Sequence, residues 1–368
     1  MSKLGKLDEL KIKGYKSIKD IHVKFNNINI LIGPNGVGKS NFIEFFNFVR
    51  KILEKNLEIY VAQSGGANNI LYFGKKTTQF LEFSLLFTPN GYKAILVPDN
   101  YDGFVFHSEK GYFFADKIGY MGGEKIYELN SKGEKESKLP SSPNTQSPLG
   151  HIVKYLKDWK VYHFHDTSKS SPMKQTCDIN DYLYFNTDGS NLAAFLFYIK
   201  QNYELHYKKI VKTIQRVVPY FLDFVLEPEP ANKEKIRLRW RYKGYDKIFD
   251  VSDLSDGTLR FICLTTLLLQ PNLPTMILID EPELGLHPFA LEVLASMFKL
   301  VADKTQIIAS TQSSTFVDMF EAKDILVVDI VDNATNFKRL NENELKEWLE
   351  EYSIGELWQK NLIGGNPW

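Results

Sequence analysis

The sequence predicts an α/β protein with a mainly parallel core sheet, an antiparallel β subdomain and an inserted helical subdomain. Three observations predict this class. A glycine-rich turn beginning at residue 33 separates a buried strand from a helix, short alternating strands fill the stretch from about 80 to 115, and strands alternate with helices through the last third of the chain. Such alternation is typical of parallel sheets with crossover helices.

The composition limits the classes of function. The chain has 368 residues, of which 43% are hydrophobic, so it can bury a substantial core. Its 45 Lys and Arg balance 45 Asp and Glu, so any contact with nucleic acid must come from a local patch. Cys177 and Cys263 lack CxxC spacing, which argues against a disulfide framework. With no predicted leader or membrane span, we expect a cytoplasmic protein that does not contact a membrane.

The elements of an N-terminal lobe, residues 1–130, follow in order. IHVKF (21–25) alternates like a half-buried strand, and NINILIG (27–33) predicts a buried one. After the glycine turn, apolar residues recur at helical spacing, which predicts an amphipathic helix from Ser40 onward. FLEFSLLF, YKAILV and FVFHS, separated by PNG and PDN, predict an antiparallel patch.

The middle of the chain changes character. Residues 131–148, SKGEKESKLPSSPNTQSP, lack hydrophobic periodicity and predict a mobile loop. Residues 149–250 are interpreted as a helical and β insertion, with a helical pattern from about 190 to 226 that ends near Pro228. KEKIRLRWRYKGY (233–245) then alternates basic and apolar residues like one exposed strand.

The last third predicts a C-terminal lobe, residues 251–340, and a helical tail, residues 341–368. The lobe contains, in order, the helix LRFICLTTLLLQ, the strand TMILID, the helix FALEVLASMFKLVA and the strands QIIAST and DILVVDI. In the tail, Leu345, Trp348, Leu349 and Tyr352 share one helical face. That face either docks a partner or packs against its own domain.

The glycine turn matches a phosphate-binding pattern. Gly33, Gly38, Lys39 and Ser40 fit GxxxxGK[ST], directly after a predicted strand and before a helix. Backbone N–H groups of the loop would cradle a β-phosphate, Lys39 would reach the β- and γ-oxygens, and the Ser40 hydroxyl would bind Mg²⁺. The candidate nucleotide-binding residues at this loop are Asn35, Gly36, Gly38, Lys39, Ser40 and Asn41.

Two adjacent carboxylates end the strand TMILID. Asp280 would supply a second Mg²⁺ ligand and Glu281 would orient an attacking water. Successive strand residues point to opposite faces, so the two acids can serve one site only if the strand ends there and the chain turns. Pro282 favours that turn.

GPNGVGKS, LSDGTLRF and ILIDEPELGLHP, in this order, resemble the head domain of ABC-type ATPases of the RecF/SMC/OLD group. The chain resembles more closely the compact AAA-family ATPases with an ABC-like head. The resemblance extends over almost the whole chain, through IKGYKSIKD, WKVYHFHD, DGSNLAAFL and GELWQKNLIGG. It implies an ABC-type ATPase head, with ATP and Mg²⁺ as ligands and the two lobes forming the ATPase.

The resemblance implies further roles. Ser255 and Gly257 would belong to a signature segment that reaches the γ-phosphate bound by a second subunit, although Ser255 also fits an ordinary helix cap. The family's LSGGQ is LSDGT here, so Asp256 places a negative charge near a triphosphate. Gln312 stands where related ATPases carry a switch histidine. Because an amide cannot carry a proton, we expect slow turnover.

Other positions leave alternatives open. His165 or Asp166 would replace the glutamine that contacts Mg²⁺ and water in related heads, and Gln63 is a rival for that position. An ordinary strand end also explains the histidines. Lys16, with Ser17, resembles an element close to nucleotide in SMC-like heads, or forms an exposed turn. A basic row would contact phosphates or form a solvated strand face; its members are Lys235, Arg237, Arg239 and Arg241, with Lys75 and Lys76 as a second patch.

The resemblance implies a slowly hydrolysing ATPase that acts as a dimerising switch. Compact members resemble ATPase subunits of bacterial anti-phage and toxin-like systems, such as the Septu ATPase, which work with a separate effector nuclease. The expected partners are a second copy, or a higher oligomer, and such an effector. Only 56 residues follow Gln312, too few for the Toprim nuclease domain of OLD proteins. The alternative is a RecF-like repair ATPase that binds DNA directly; a transporter motor fits least.

Overall fold

The computed structural model describes residues 5–119, 123–131, 133–141 and 146–365. Its strands are β1 (Glu9–Tyr15), β2 (Ile18–Lys24), β3 (Ile28–Ile32), β4 (Leu81–Phe87), β5 (Asn90–Pro98), β6 (Phe104–Phe114), β7 (Glu124–Asn130), β8 (Trp159–Tyr162), β9 (Cys177–Asp178), β10 (Phe221–Val225), β11 (Pro228–Glu229), β12 (Asn232–Ile236), β13 (Arg239–Tyr242), β14 (Ile248–Asp250), β15 (Met276–Asp280), β16 (Gln306–Thr311), β17 (Ile325–Val331) and β18 (Ala334–Arg339). Its α-helices are α1 (Lys39–Leu53), α2 (Leu57–Gln63), α3 (Ala67–Ile70), α4 (Pro148–Lys157), α5 (Leu192–Asn202), α6 (Glu204–Val217), α7 (Asp256–Leu269), α8 (Pro288–Val301), α9 (Ser314–Val317), α10 (Glu342–Leu349) and α11 (Ile354–Gln359).

The core sheet has the order β18-β17-β3-β16-β15-β8. Strands β17, β3, β16, β15 and β8 are parallel, and β18 returns antiparallel to β17 as a hairpin. The carboxyl ends of β3, β15 and β16 therefore lie side by side at one edge, where ligands bind in sheets of this type. The predicted mainly parallel core sheet is confirmed.

The second sheet is antiparallel, with the order β2-β1-β4-β5-β6-β7. The three strands predicted between 80 and 115 are β4, β5 and β6. The sheet also includes β2, which contains all but the last residue of the predicted strand IHVKF, and pairs it with β1 rather than with the strand before the glycine turn. The antiparallel subdomain is therefore confirmed and is larger than the sequence indicates.

Helix α1 lies between the two sheets, which explains why it is apolar on several sides. The ring centroid of Phe45 is 5.3 Å from that of Phe83 on β4, and that of Phe46 is 5.5 Å from that of Trp159 on β8. On β3, Leu31 packs into the apolar cluster around α1, whereas Ile30 packs into the cluster formed by α7 and α8 on the opposite face. Both faces of the core sheet are thus buried, as a parallel sheet requires.

The insertion departs from its predicted elements. The helical pattern predicted to about residue 226 ends at Val217, and β10 follows, because Pro219 cannot continue a helix. The single strand predicted over 233–245 is wrong. It divides into β12 and β13, which pair in two different three-stranded sheets, β11-β12-β9 and β10-β13-β14. In addition, β8 belongs to the core sheet, so the sheet extends into the stretch interpreted as insertion.

The segment 131–148, expected to be a mobile loop, is bound to the antiparallel sheet over its described part. Phe106 N donates to Glu134 O at 2.7 Å. Ser137 and Leu139 are buried, and the buried carboxylate of Glu109 accepts hydrogen bonds from Ser137 Oγ and, at 3.1 Å, from Lys138 N. A buried carboxylate requires such donors, and this requirement fixes the segment. Residue 132 and residues 142–145 lie outside the described residues. Within the described ranges, no helix is both long and apolar enough to cross a membrane.

Candidate functional site

The glycine loop joins β3 to α1 at the carboxyl edge of the core sheet. Lys39 is 6% exposed, and its Nζ donates to Gly33 O at 2.6 Å and to Pro34 O at 2.9 Å. Burial lowers the pKa of the Lys39 ammonium, while the nearby carboxylates of Asp280 and Glu281 act in the opposite direction. The lysine is therefore held over the loop and within the field of the acidic strand end.

A hydroxyl and a carboxylate converge across the loop. Ser40 Oγ donates to Asp280 Oδ2 at 3.2 Å, and the other oxygen of Asp280 accepts from Ser310 Oγ at the end of β16. Magnesium is usually bound by one or two protein oxygens together with phosphate oxygens and water. The described residues contain no cluster of three His, Cys, Asp or Glu that could hold a metal. The Ser40 and Asp280 pair fits an ion bound together with a nucleotide.

The two adjacent acids lie in different backbone environments, because β15 ends at Asp280 and the chain turns at Glu281. Glu281 has a φ of 45°, in the left-handed region that a non-glycine residue rarely adopts. Its N–H donates to Ser310 O at 3.0 Å, which fixes the turn. The Glu281 carboxylate accepts a hydrogen bond from Gln312 Nε2. The structure thus brings together the two residues that the sequence proposes as catalytic, Glu281 and Gln312.

Glu283 is a third carboxylate of this turn and is not among the site residues predicted from the sequence. Its Oε1 accepts from Thr311 Oγ1 at 2.6 Å and from Gln312 N at 2.9 Å. Its Oε2 is buried and has no hydrogen-bond partner among the described residues. Burial raises the pKa of this carboxyl, and the charge of Glu281 raises it further. Glu283 therefore ties the turn after β15 to the backbone that carries Gln312.

The loop after β8 also reaches the acidic strand end. His165 Nε2 donates to Asp280 O at 2.7 Å. Asp166, the other candidate, instead accepts from Ser168 N at 2.9 Å, and hydrogen bonding to the side chain and the backbone of Ser168 lowers the pKa of its carboxyl. Gln63, the rival, is the exposed last residue of α2. Of these three side chains, that of His165 contacts the segment bearing the candidate catalytic acids.

The other wall of the loop comes from distant parts of the chain. Ser17 Oγ accepts from Asn41 Nδ2 at 2.9 Å and from Thr335 Oγ1 at 2.7 Å. Thr335 Oγ1 also lies 2.7 Å from Val37 O within the loop. Lys16 has a φ of 46°, and burial lowers the pKa of its ammonium. Ser17, next to the candidate Lys16, is therefore the residue that contacts the helix after the loop.

The candidate signature segment lies at the start of α7. Ser255 caps this helix by accepting from Thr258 N at 3.2 Å. Asp256 is the acidic residue at which LSDGT differs from the family's LSGGQ. Lys174 Nζ lies 3.4 Å from Asp256 Oδ1, so a cation lies beside this negative charge. A Cβ on Gly257 would lie 2.2 Å from Gly285 O, which shows how closely α7 approaches the turn after β15.

Arg260 links this helix to two loops of the site. Its guanidinium donates to Phe164 O at 3.0 Å, to His165 O at 2.8 Å and to Leu284 O at 3.1 Å. The first two carbonyls belong to the loop after β8 and the third to the turn after β15. Arg260 therefore fixes the position of the signature helix relative to both.

The basic row expected to face phosphates is largely neutralised within the insertion. Three of its members lie beside carboxylates, with N to O distances of 3.6 Å for Lys235 and Asp178, 2.8 Å for Arg237 and Asp250, and 3.1 Å for Arg239 and Glu229. In the second patch, Lys75 lies 2.7 Å from Asp102. The expectation of one continuous basic strand face is wrong, because the strand divides and acids lie beside it.

Residues 28–318 match the protein family described as "AAA domain, putative AbiEii toxin, Type IV TA system". The chain is similar to an Smc head bound to the C-winged helix domain of ScpA, with 14% identity and a TM-score of 0.60, over 92% of this chain and 99% of that chain. It is also similar to an Smc head with an extended coiled coil bound to the C-terminal domain of ScpA derived from Pyrococcus furiosus, with 13% identity and a TM-score of 0.55, over 94% and 98%. No curated protein matches. The expected head fold is confirmed.

Proposed function

The chain belongs to the AAA domain family described above, because its residues 28–318 match that family, and we propose that the protein binds ATP with Mg²⁺ and hydrolyses ATP slowly. One observation supports the proposal above the others. Ser40 Oγ, from the glycine loop, lies 3.2 Å from Asp280 Oδ2, although 240 positions separate the two residues. The fold brings the glycine loop and an acidic strand end to one point, and this arrangement supports a role in phosphoryl transfer.

Each side chain has a distinct task in this proposal. Lys39 stabilises negative charge on the β- and γ-phosphates, and Ser40 and Asp280 hold Mg²⁺, which neutralises charge that develops on the phosphate oxygens. Glu281 orients the attacking water, and Gln312 positions Glu281 through its amide. Because Gln312 cannot take up a proton, the hydrolysis step lacks the help that a histidine gives. Slow turnover follows.

We further propose that hydrolysis times a switch between separate and dimeric states. Ser255 and the start of α7 are exposed and present a hydroxyl and helix N–H groups that could contact an anion on a second copy. The Smc heads to which the chain is similar are each bound to a domain of another protein, ScpA. This supports a role in which the closed form recruits a separate partner.

The family description supports a place in a toxin-like or anti-phage system, since it names a toxin and a type IV TA system. We propose a separate effector nuclease as the partner. The Glu281→Gln variant, which should accumulate as an ATP-bound dimer, can be used to capture and identify this partner.

The proposal is tested by measuring ATP hydrolysis and molecular mass together for the wild type, Lys39→Ala and Glu281→Gln. Glu281→Gln should bind ATP, lose hydrolysis by ~10² to 10⁴-fold because the water is no longer oriented, and accumulate as a dimer or larger assembly. Lys39→Ala should neither bind tightly nor change mass. A wild type that binds no ATP would refute the proposed function, and one that binds without hydrolysis or change in mass would refute the switch.

A further inference from the structure

The C-terminal sequence IGELWQKNLIGG has no role in the proposed function, yet its helix lies against the site. Helix α11 is held to α9, which begins two residues after Gln312. Gly355 N donates to Asp318 Oδ1 at 2.5 Å, and Gln359 Nε2 donates to Ser314 Oγ at 2.7 Å. Both ends of α11 are therefore fixed to the segment that follows the candidate switch residue.

The chain beyond α11 reaches the glycine loop itself. A Cβ on Gly365 would lie 3.5 Å from Gly33 Cα, the first glycine of the loop. Gly365 is held there by two hydrogen bonds: Trp358 Nε1 donates to Gly365 O at 2.6 Å, and Gly365 N donates to Asp329 Oδ2 at 3.2 Å. Trp358 is 8% exposed and belongs to the main apolar cluster. A displacement of the glycine loop would therefore change the surroundings of the Trp358 side chain.

A cavity of about 370 Å³ lies between these elements. Its walls are the glycine loop at 33–35, Gln312 with Ser314, and Trp358 with Gln359. Gln312, which lines the cavity, also donates to Glu281, so the cavity lies near the candidate hydrolytic acid. Three separate parts of the chain thus meet at one end of the candidate nucleotide site.

We propose that residues 354–365 form a wall of the nucleotide site, with Gln359 and Trp358 as positioning residues. Gln359 fixes Ser314 and so the backbone that leads from Gln312, and Trp358 fixes Gly365 against the first glycine of the loop. This inference rests on the proposed function, because it assigns the tail to the same site. It predicts that binding of a nucleotide changes the surroundings of Trp358 and that loss of the Gln359 bond affects turnover more than affinity.

The first test uses the fluorescence of the full-length protein with a non-hydrolysable ATP analogue and Mg²⁺. The wild type should change its tryptophan emission on binding. Trp358→Phe should lose that change at analogue concentrations that saturate the variant, with saturation measured by calorimetry. The matched control is Trp348→Phe in α10, where Trp348 is 47% exposed, and it should retain the change. A wild-type change that persists in Trp358→Phe, or wild-type binding without any change, would overturn the inference and leave the proposed function standing.

The second test separates positioning from folding. Gln359→Leu removes the hydrogen bond to Ser314 and should lower kcat by roughly 3- to 10-fold with little change in KM, the effect expected for one neutral hydrogen bond. Gln359→Glu can accept a hydrogen bond from the Ser314 hydroxyl and should restore most of the loss. An unchanged kcat in Gln359→Leu, or equal losses in both variants, would overturn the role of Gln359. Absence of nucleotide binding in the wild type would instead refute the proposed function.

Discussion

At the scale of single residues, backbone conformation decides which positions of the site tolerate change. Gly33 has a φ of 152°, and a Cβ there would lie 2.2 Å from the backbone oxygen of Val328 on the neighbouring strand. Gly244, in an exposed turn, also has a positive φ, 84°, but nothing lies within 4 Å of its Cβ position. Both glycines therefore have a backbone conformation that disfavours a side chain, but only at Gly33 would the added Cβ also clash with a neighbouring atom.

We expect Gly33→Ala to lower the free energy of unfolding much more than Gly244→Ala. Gly244→Ala should cost about 1–2 kcal/mol from its left-handed backbone alone. In Gly33→Ala, overpacking adds about 1–3 kcal/mol. The Gly33 carbonyl that accepts from Lys39 should also move, so nucleotide binding should weaken. Urea denaturation with nucleotide titration measures both effects, and equal losses of stability in the two variants would contradict the expectation.

Glu283 makes stability depend on pH. Its pKa in the folded protein lies above its ordinary value of 4.5, so the folded state binds this proton more tightly than the unfolded state does. The free energy of unfolding should therefore fall as pH rises from about 4.5 through the raised pKa, by ~1.4 kcal/mol for each unit of the shift. Glu283→Gln cannot ionise and should gain stability relative to the wild type over that range. A difference between the two proteins that stays constant with pH would refute this.

At the scale of elements, polar side chains hold segments that hydrophobic patterning does not define. Glu109 on β6 is fully buried and accepts from Tyr92 Oη and Asn130 Nδ2, each at 2.8 Å, as well as from Ser137 and Lys138. Glu134 belongs to the segment 131–148, as do Ser137 and Lys138, and makes an exposed ion pair with Lys138 at 2.7 Å. The first carboxylate anchors the segment, and the second lies in water.

We predict that Glu109→Ala lowers the free energy of unfolding by about 3–5 kcal/mol, since it leaves several buried donors unpaired. Glu134→Ala should change it by less than about 1 kcal/mol, because solvent screens the pair. Thermal unfolding gives the comparison, and limited proteolysis should show faster cleavage near residue 137 in Glu109→Ala only. Similar stability in the two variants would show that the segment is not held by Glu109.

The sequence left open whether the apolar face of the tail docks a partner or packs against its own domain. In the structure, most of this face packs against its own domain. Leu345, Leu349 and Tyr352 lie against the main core, while Trp348 remains 47% exposed. Helix α11 supplies Leu357 and Trp358 to the same core. Deletion of residues 341–368 would therefore remove part of the core and a wall of the proposed site. Substitution of exposed residues of α10 is the cleaner test of partner docking.

At the scale of the whole molecule, charge separates the proposed switch from the RecF-like alternative. The net charge is zero, and most of the basic row lies beside carboxylates. Affinity for DNA depends on cations that replace counterions at the phosphates, and paired cations replace few.

We therefore expect the isolated protein to bind duplex DNA weakly, with a shallow dependence on salt, and DNA to leave the rate of ATP hydrolysis unchanged. Fluorescence anisotropy with a labelled duplex at several salt concentrations measures both affinity and slope. Tight binding that falls steeply with salt would favour the DNA repair alternative. In that case Arg241→Ala, at an exposed position of β13, would test whether the insertion carries the contact.

Much of the fold follows from local patterns. The apolar runs of β3, β15, β16 and β17 and the glycine loop predict a parallel sheet with a phosphate site, and the alternation of β4 and β5 predicts an antiparallel patch. Where local rules compete, prediction fails. The basic and apolar alternation over 233–245 suggests one strand, yet Lys235 lies in β12 and Arg239 in β13, and these strands belong to two different three-stranded sheets.

The sequence by itself determined the glycine loop, the acidic strand end and the order of the motifs, because these depend on residue types at short spacing. Tertiary structure alone decided what surrounds them. Thr335, Ser310 and Gly365 reach the site from hairpins, strand ends and the tail, and no local pattern marks them. The left-handed turn at Glu281 likewise depends on its bond to β16. The contact between Ser40 and Asp280, which are 240 positions apart, arises because the parallel sheet brings the carboxyl ends of β3 and β15 to one edge.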